Sequence, residues 1–243
     1  MERENLQKTI EFAGPRQAGF QLSGGEIHFL WWFIQGSIMV PFTRQRLRKA
    51  WGLCERHAWG FILVEAAFRQ GYMHGPAILY EDLLEPAILA LGQRGPLKQW
   101  LLWLHLREKG PCLMCEMNLG PETKGAATPD RIVRGRDTTE LRRFAQRTHK
   151  YWEIALCGRC LGNGAVQRCR RHLMEDASRG GALSLSAHFL FLKDIFEHLV
   201  LYSRSFRWEY QGTETEEDEA ALISAVGWCS GWQPLLSILG MNK

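Results

Sequence analysis

Apolar residues recur at helical spacing along most of the chain, and no stretch shows the strict alternation of a strand. Ser23 and Glu26 have the spacing of a capping box, immediately before an apolar run that starts at Ile27. A second helix, apolar nearly all round, is predicted for residues 57–70 and should end at Gly71. The pattern therefore predicts an all-α protein, built as a helical bundle.

Proline and glycine positions predict where other helices begin and end. Thr43 is a candidate cap for a short basic helix that stops at Gly52. Pro76 suits the first turn of a helix that Pro86 should kink or split. Pro96 should open a further helix, whose apolar stripe is predicted to consist of Leu97, Trp100, Leu101 and Leu104.

The second half of the chain begins with a break in this pattern. Residues 116–136 contain glycines and prolines without a helical period, which predicts a loop. Asp137 and Glu140 have capping-box spacing and should open the next helix. A long helix is predicted over residues 184–206, and the acidic run 214–219 should lead the last helix, since negative charge stabilises a helix N-terminus.

Length and composition are those of a folded protein with a substantial core. The chain has 243 residues, 46% of them hydrophobic and 23% charged. The pattern suggests three regions, an N-terminal helical region (1–110), a Cys/His-rich zinc-binding region (111–180) and C-terminal helices (181–243), which together can form one compact domain. The net charge of +4 is mild and indicates little about partners.

The cellular location is predicted from the absence of long apolar segments. The first residues carry no secretory pattern, and the apolar run 29–40 is shorter than the roughly 20 residues that a membrane span needs. We therefore expect a soluble, cytoplasmic protein. In a reducing compartment, paired cysteines are more often metal ligands than disulfides.

Six of the seven cysteines fall into four short units in which two residues separate the two candidate ligands. This spacing lets both side chains of a tight turn point at one ion. Eight ligands match the number that two tetrahedral zinc sites require. In chain order the units are Cys54 with His57, Cys112 with Cys115, Cys157 with Cys160, and Cys169 with His172.

The simplest pairing joins the third and fourth units on one zinc ion and the first and second units on another. Gly162 and Gly164 lie between the third and fourth units and would let the backbone fold back. Both sites would then be closed Cys3His sites, which are structural. Pairing of the second unit with the third, a redox role for Cys157 and Cys160, and free buried thiols remain alternatives. Cys229 has no partner in the sequence and is expected in the core.

Three units carry an arginine immediately before their second ligand: Arg56, Arg159 and Arg171. A cation at this position can stabilise a nearby thiolate. The alternative explanation is that arginine is simply common in this chain.

The segments GLCERHAWG (52–60), PCLMC (111–115) and RCRRHL (168–173) resemble uncharacterised bacterial helical proteins with repeated Cys-x-x-Cys and Cys-x-x-His pairs. That resemblance implies metal binding and no known activity. Such proteins often have an additional Cys-x-x-Cys near the amino terminus, which this chain lacks, and its absence favours the crossed pairing of the first and second units. A bacterial defence operon is one setting that we consider, although no residue motif supports it directly.

The remaining residues do not form a recognisable catalytic motif. No phosphate-binding loop, nucleotide fingerprint or nucleophile–base signature is present in the sequence, so we do not expect an enzyme or a small-molecule substrate. From 124 to 179, thirteen cations stand against six acids. This segment supports the alternative of a nucleic-acid-binding zinc protein, with contacts from Arg142, Arg143, Arg147, Lys150, Arg168, Arg170 and Arg171.

The leading prediction is a non-enzymatic, zinc-stabilised accessory or regulatory protein that acts by protein–protein interaction and does not bind a membrane. The loop 116–136 and the acidic run 214–219 are candidate contact surfaces. Trp208, Trp228 and Trp232 could dock a partner or pack in the core.

Overall fold

The computed structural model describes residues 19–93, 95, 98–179 and 185–241, and all regular elements in these residues are helical, as predicted. In chain order the α-helices are α1 (Gly24–Phe33), α2 (Pro41–Lys49), α3 (Glu55–Arg69), α4 (His74–Leu91), α5 (Lys98–Leu106), α6 (Leu113–Glu116), α7 (Pro129–Gly135), α8 (Thr139–Arg147), α9 (His149–Trp152), α10 (Gly158–Leu161), α11 (Arg170–Ser178), α12 (Leu185–Ser205), α13 (Glu216–Ser230) and α14 (Gln233–Leu239). Short 3₁₀ turns lie at Ser37–Met39, Glu153–Ala155 and Trp208–Tyr210.

Helices α3 and α13 form the centre of the bundle, because both are apolar nearly all round and buried along most of their length. Helix α13 packs on α3, α4, α9 and α12, while α3 also contacts α1, α8 and α14. Trp59, Trp152 and Trp232 are completely buried, and the ring of Trp232 contacts the other two. One connected core therefore includes residues from all three regions of the sequence.

The start of α1 and the end of α3 follow the sequence signals. The Ser23 N–H donates to Glu26 Oε2 at 2.7 Å, and the Glu26 N–H donates to Ser23 Oγ at 3.2 Å, which completes the predicted capping box. Helix α3 ends at Arg69, where Gln70 and Gly71 both have positive φ angles, of 53° and 85°. It begins at Glu55, so His57 lies inside its first turn rather than ahead of it.

Two proline-related predictions for the N-terminal half need correction. The basic helix α2 is not capped by Thr43; it begins at Pro41, since proline suits the first helical position, and Thr43 lies inside it. Helix α4 continues through Pro86, whose ring is exposed, so of the two predicted outcomes the split does not occur. Pro76 lies in the first turn of α4, as predicted.

The predicted stripe of α5 is also wrong in part. Pro96 and Leu97 lie outside the described residues. Within α5, Leu102 and Leu106 are the buried residues, four positions apart on one face, and α5 packs against α4. Trp100 is 57% exposed because it lies on another face of the helix.

The predicted loop 116–136 is shorter than expected, because residues 129–135 form α7, with Pro129 in its first turn. The capping box predicted at Asp137 and Glu140 is absent. Asp137 Oδ1 instead accepts a hydrogen bond from the Thr139 N–H at 2.9 Å, two residues later. The acidic run leads α13, where Thr215 and Asp218 form a capping box that the sequence analysis did not identify.

Helix α12 matches the predicted long helix within its described part. Among the described residues, none of the helices combines the length and the hydropathy that crossing a bilayer requires.

Candidate metal centres

The four Cys/His units come together in two groups, each of which could hold a metal ion. The ligand atoms within each group all lie within 4.8 Å of one another. The first cluster is Cys54, His57, Cys112 and Cys115. The second cluster is Cys157, Cys160, Cys169 and His172.

In the first cluster, the four ligand atoms lie close enough together to surround one ion. His57 Nδ1 lies 3.2 Å from Cys54 Sγ and 3.5 Å from the sulfur atoms of Cys112 and Cys115. Cys54 Sγ lies 3.6 Å from Cys115 Sγ. The cluster therefore joins the start of α3 to α6, across 61 residues of sequence.

The second cluster repeats this geometry within a much shorter segment. His172 Nδ1 lies 3.2, 3.4 and 3.3 Å from the sulfur atoms of Cys157, Cys160 and Cys169 respectively. Cys160 Sγ lies 3.8 Å from Cys169 Sγ. Both clusters thus present three thiols and one Nδ1 atom at matching separations.

Each unit begins at a helix N-terminus, which explains the two-residue gap. The first cysteine of each unit occupies the N-cap position of a helix, and the second ligand occupies the third helical position. These two positions face the same side of a first turn. The Cys-x-x-His units start α3 and α11, whereas the Cys-x-x-Cys units start the four-residue helices α6 and α10.

Backbone N–H groups of these first turns hydrogen bond the cysteine sulfurs. Cys54 accepts from the backbone of His57, and Cys169 accepts from that of His172. Cys112 accepts from the backbone of Cys115 and also from that of Cys54 in the other unit. Cys157 makes the equivalent two bonds in the second cluster, so the clusters share one hydrogen-bonding scheme although their units occur in opposite order along the chain.

This scheme favours one thiolate in each cluster even before a metal binds. Hydrogen bonding from Cys54 is the largest cause that lowers the pKa of Cys112 to about 3, against the opposing effect of burial. Hydrogen bonds from Cys160 and Cys169 similarly hold the pKa of Cys157 far below its usual range. A thiolate is the form of cysteine that binds metals.

The first cluster continues into a buried carboxylate. Glu26, completely buried in α1, accepts hydrogen bonds from His57 Nε2 at 3.1 Å and from Arg56 Nε at 2.6 Å. Burial opposes ionisation of Glu26, but hydrogen bonds from His57, Arg56 and the Ser23 N–H lower its pKa to about 2. Because Nε2 of His57 faces this carboxylate, Nδ1 is free to face the thiols, as in carboxylate–histidine–metal arrangements.

The sequence analysis assigned Glu26 only to the capping box. Its second role could not be read from the sequence, because 31 residues separate it from His57. Burial disfavours a charged imidazole, but hydrogen bonds with Cys112 and Glu26 raise the pKa of His57 to about 9. A metal ion would therefore displace a proton from this ring, and its binding should weaken as the pH falls.

The second cluster has a half-buried rim of charge pairs in place of a fully buried carboxylate. Asp176 accepts hydrogen bonds from Arg159 and Arg168, each at 2.7 Å. Among the described residues, no protein group lies within hydrogen-bond distance of His172 Nε2. The rim therefore fixes the fold of the segment but does not orient the histidine.

The turn between the two units of the second cluster is tightly packed. Gly162 has a φ of 64° and ends α10, as predicted for a residue that folds the backbone back. The Gly158 N–H donates to Gln167 O at 3.0 Å, and a Cβ atom on Gly158 would lie 2.1 Å from Ala165 O. Glycine is therefore required here by close backbone approach.

Two of the three arginines that precede a second ligand bind carboxylates rather than thiolates. Arg56 pairs with Glu26, and Arg159 pairs with Glu175 and Asp176. Arg171 is exposed. These arginines thus connect their units to neighbouring helices.

Most of the predicted nucleic-acid contacts are engaged within the protein. Arg142 donates to Ile238 O, and the buried Arg170 donates to the carbonyls of Leu106 and Cys229. The others form ion pairs, except Arg171. These pairs are Arg143 with Glu140, Arg147 with Glu219, Lys150 with Glu216, and Arg168 with Asp176.

The two predicted contact surfaces, the acidic run 214–219 and the loop 116–136, both form contacts within the chain. The acidic run 214–219 supplies the partners of Arg147 and Lys150, so the acidic run and the basic helix face neutralise each other. In the loop 116–136, Thr123 O accepts from the Gly25 N–H at 2.9 Å, which fastens the loop to α1.

The remaining cysteine and the C-terminal tryptophans divide between core and surface. Cys229, Trp228 and Trp232 are buried in the core. Trp208 is 85% exposed and is the one of these tryptophans that could contact a partner.

The chemistry available at both clusters is metal binding by four protein ligands. Four ligands complete a tetrahedron and leave no position for a substrate. Comparison of the chain with protein-family models, with curated proteins and with solved structures found no match. A function is therefore inferred from the residues of the chain itself.

Proposed function

We propose that this protein is a non-enzymatic, zinc-stabilised helical protein that acts as an accessory or regulatory factor by binding another protein. The observation that carries the proposal is the paired Cys3His geometry of the two clusters. The metal ions would hold the bundle in shape, and the surface of the bundle would bind the partner.

Zinc is favoured by the distances between the ligand atoms. A tetrahedral zinc ion with bonds of about 2.3 Å to sulfur and about 2.0 Å to nitrogen implies sulfur–sulfur separations near 3.8 Å and sulfur–nitrogen separations near 3.5 Å. In the two clusters the sulfur–sulfur distances are 3.6 and 3.8 Å, and the sulfur–nitrogen distances range from 3.2 to 3.5 Å. Thiolate-rich sites also select zinc over the harder magnesium and calcium ions.

A structural role is favoured over catalysis because each metal would be fully coordinated by the chain. Catalytic zinc sites keep an open position for water or substrate. In the first cluster, His57 is 2% exposed and its second nitrogen is already bound to Glu26. A reducing compartment such as the cytoplasm would keep the six ligand thiols available for the metal.

The nucleic-acid alternative has less support, because its basic residues are largely neutralised. Arg147 and Lys150 pair with the acidic residues that lead α13. Arg170 is 5% exposed. Contacts with several phosphates require free cations on one surface.

The proposal is tested by purifying the protein from its native source together with whatever remains bound to it. We expect two zinc ions per chain and a protein partner at fixed stoichiometry. A metal-free preparation would contradict the zinc assignment. If a nucleic acid co-purifies and its affinity falls steeply with salt concentration, the proposed protein partner is wrong and the protein binds nucleic acid.

A further inference from the structure

Helices α5 and α11 form an open groove on the surface, next to the second cluster. Trp100 and Trp103 lie on α5, Arg107 directly follows the last residue of that helix, and Arg171, Met174 and Ser178 lie on α11. Two adjoining clefts, of about 210 and 330 Å³, lie between these two helices. Both clefts are lined by Trp103, Met174 and Ser178, so they form one continuous surface, the α5–α11 groove.

The walls of this groove are apolar and exposed. Trp100 is 57% exposed and Trp103 is 44% exposed, whereas Trp59, Trp152 and Trp232 are completely buried. A contiguous exposed apolar surface on a folded protein marks an interaction site. Tryptophan is also enriched among the residues that dominate binding energy at protein interfaces.

The groove carries both acidic and basic side chains, but its acidic side chains are already in ion pairs. Glu108 is paired with Arg170, and Glu175 is paired with Arg159. Arg107 stacks on Trp103, with its guanidinium carbon 4.6 Å from the ring centroid, and its Nε atom has no hydrogen-bond partner.

Arg171 is exposed, and neither Arg107 nor Arg171 forms an ion pair with any described residue. Within the described part of the chain, two guanidinium groups without an ion-pair partner therefore border an apolar groove whose carboxylates are already paired. The complementary surface is apolar at its centre and acidic at its edges.

We infer that the α5–α11 groove binds an amphipathic helix of a partner protein, with an apolar stripe flanked by Asp or Glu residues. This inference rests on the proposed function and names the surface and the chemistry of the partner. A helix suits the groove, since an apolar stripe at positions i, i+3, i+4 and i+7 can contact both tryptophans along about two turns. Single-stranded nucleic acid is less well matched, because two free cations would contact few phosphates.

The test uses two synthetic helical peptides that share one leucine- and phenylalanine-rich face. They differ only in whether the flanking positions carry glutamate or lysine. Binding to the full zinc-loaded protein is followed by fluorescence anisotropy of the labelled peptide. We expect the acidic peptide to bind about tenfold more tightly than the basic peptide, because each edge charge contributes modestly.

Substitutions in the α5–α11 groove test whether the preference for the acidic peptide arises at this groove. The double substitution Arg107→Glu with Arg171→Glu should reverse the preference, and Trp103→Ala or Trp100→Ala should weaken both peptides about tenfold. Trp32→Ala is the matched control, since this tryptophan is 55% exposed, close to the 57% of Trp100, but does not line the groove. Zinc content and melting temperature should stay at the wild-type values in all of these variants.

Equal affinity for the two peptides, or a preference unchanged by the double substitution, would overturn the inference. It would also be overturned if oligothymidylate bound more tightly than the acidic peptide and competed with it. If the variants with an altered groove retain a natively bound partner, the groove assignment fails while the proposed function stands. Loss of zinc binding in the wild-type protein would instead contradict the proposed function.

Discussion

The two clusters use the same ligands in the same arrangement, yet they hold together very different lengths of chain. The first cluster joins residues up to 61 positions apart, whereas the second joins residues within 15 positions of each other. Closing the longer loop costs about 1 kcal/mol more conformational entropy in the absence of other contacts. The first cluster thus contributes to tertiary structure, and the second stabilises a local turn.

The two histidines also differ in how far they connect their cluster to the rest of the chain. His57 donates to the buried Glu26 of α1, so the first cluster links three separate parts of the chain. His172 has no equivalent partner among the described residues, and the charge pairs near it are only half-buried. We therefore expect identical candidate ligands to differ in structural importance, depending on what their outer neighbours connect.

The largest expected effect comes from removing one equivalent thiol from each cluster. Cys112 and Cys157 are matched, because both are buried N-cap residues with the same two backbone donors. Cys112→Ser should lower the free energy of unfolding by about 5 kcal/mol or more, and the loss caused by Cys157→Ser should be smaller by about 1 kcal/mol. Urea denaturation and zinc analysis of both variants measure this difference.

Each variant should retain one zinc ion per chain. Equal destabilisation by the two substitutions would show that the length of the closed loop is not what distinguishes the clusters. Loss of both ions from either variant would show that the clusters are coupled.

Glu26→Gln tests the outer neighbour of the first cluster while preserving the shape of the side chain. It removes the charge that binds His57 and Arg56, so we expect the free energy of unfolding to fall by about 2–4 kcal/mol. Zinc affinity of the first cluster should fall roughly 10- to 100-fold, as is usual for loss of such a partner. Competition with a chromophoric chelator should resolve one weakened site and one unchanged site.

Glu65, on α3, makes the free energy of unfolding depend on pH. This effect has to be separated from the pH dependence of metal binding at the first cluster. Burial raises the pKa of Glu65 to about 7, against the favourable effect of Arg69, so the folded protein binds this proton more tightly than the unfolded chain, whose pKa is near 4.5. Its contribution to stability is therefore present at low pH and declines as the pH rises from about 4.5 to 7.

Glu65→Gln removes this decline, because glutamine does not ionise. The variant should gain stability over the wild type as the pH rises from 5.5 to 8, by about 2 kcal/mol. Thermal unfolding of both proteins at several pH values tests this prediction. A constant difference across the range would show that Glu65 is not the titrating group.

The smallest expected effect is at the half-buried rim of the second cluster. Asp176→Asn breaks the pairs with Arg159 and Arg168, and we expect a loss of about 1 kcal/mol, since ion pairs that remain in contact with water contribute little. Zinc affinity should stay unchanged in the same competition assay that is used for Glu26→Gln. A loss as large as that of Glu26→Gln would remove the distinction between the two clusters.

The ligand pairing was predictable from the sequence because each unit is local. In each unit a cysteine caps a helix and the second ligand follows after two residues, in the first turn. Four such units supply eight ligands, the number that two tetrahedral sites need. The helical class and the capping box at Ser23 were also accessible, since both depend on neighbouring residues. Within the first cluster, no local pattern indicates that the Glu26 carboxylate binds His57, because that contact depends on how α1 packs on α3.

Elsewhere, tertiary packing overrode local signals. Helix α7 was not predicted because its proline and glycine resemble a loop, yet it packs against α1 and α3. The basic face of α8 and α9 resembled a nucleic-acid site until Arg147 and Lys150 were found paired with residues about 70 positions away. The exposure of Trp100 depends on which face of α5 meets α4.

X-ray absorption at the zinc edge of the purified wild-type protein tests the central claim most directly. Two structurally similar sites should give one averaged coordination shell, with three sulfur atoms at about 2.3 Å and one nitrogen atom at about 2.0 Å per zinc ion. Oxygen ligands, a coordination number of five or six, or fewer than two zinc ions per chain would contradict the account of two closed structural sites.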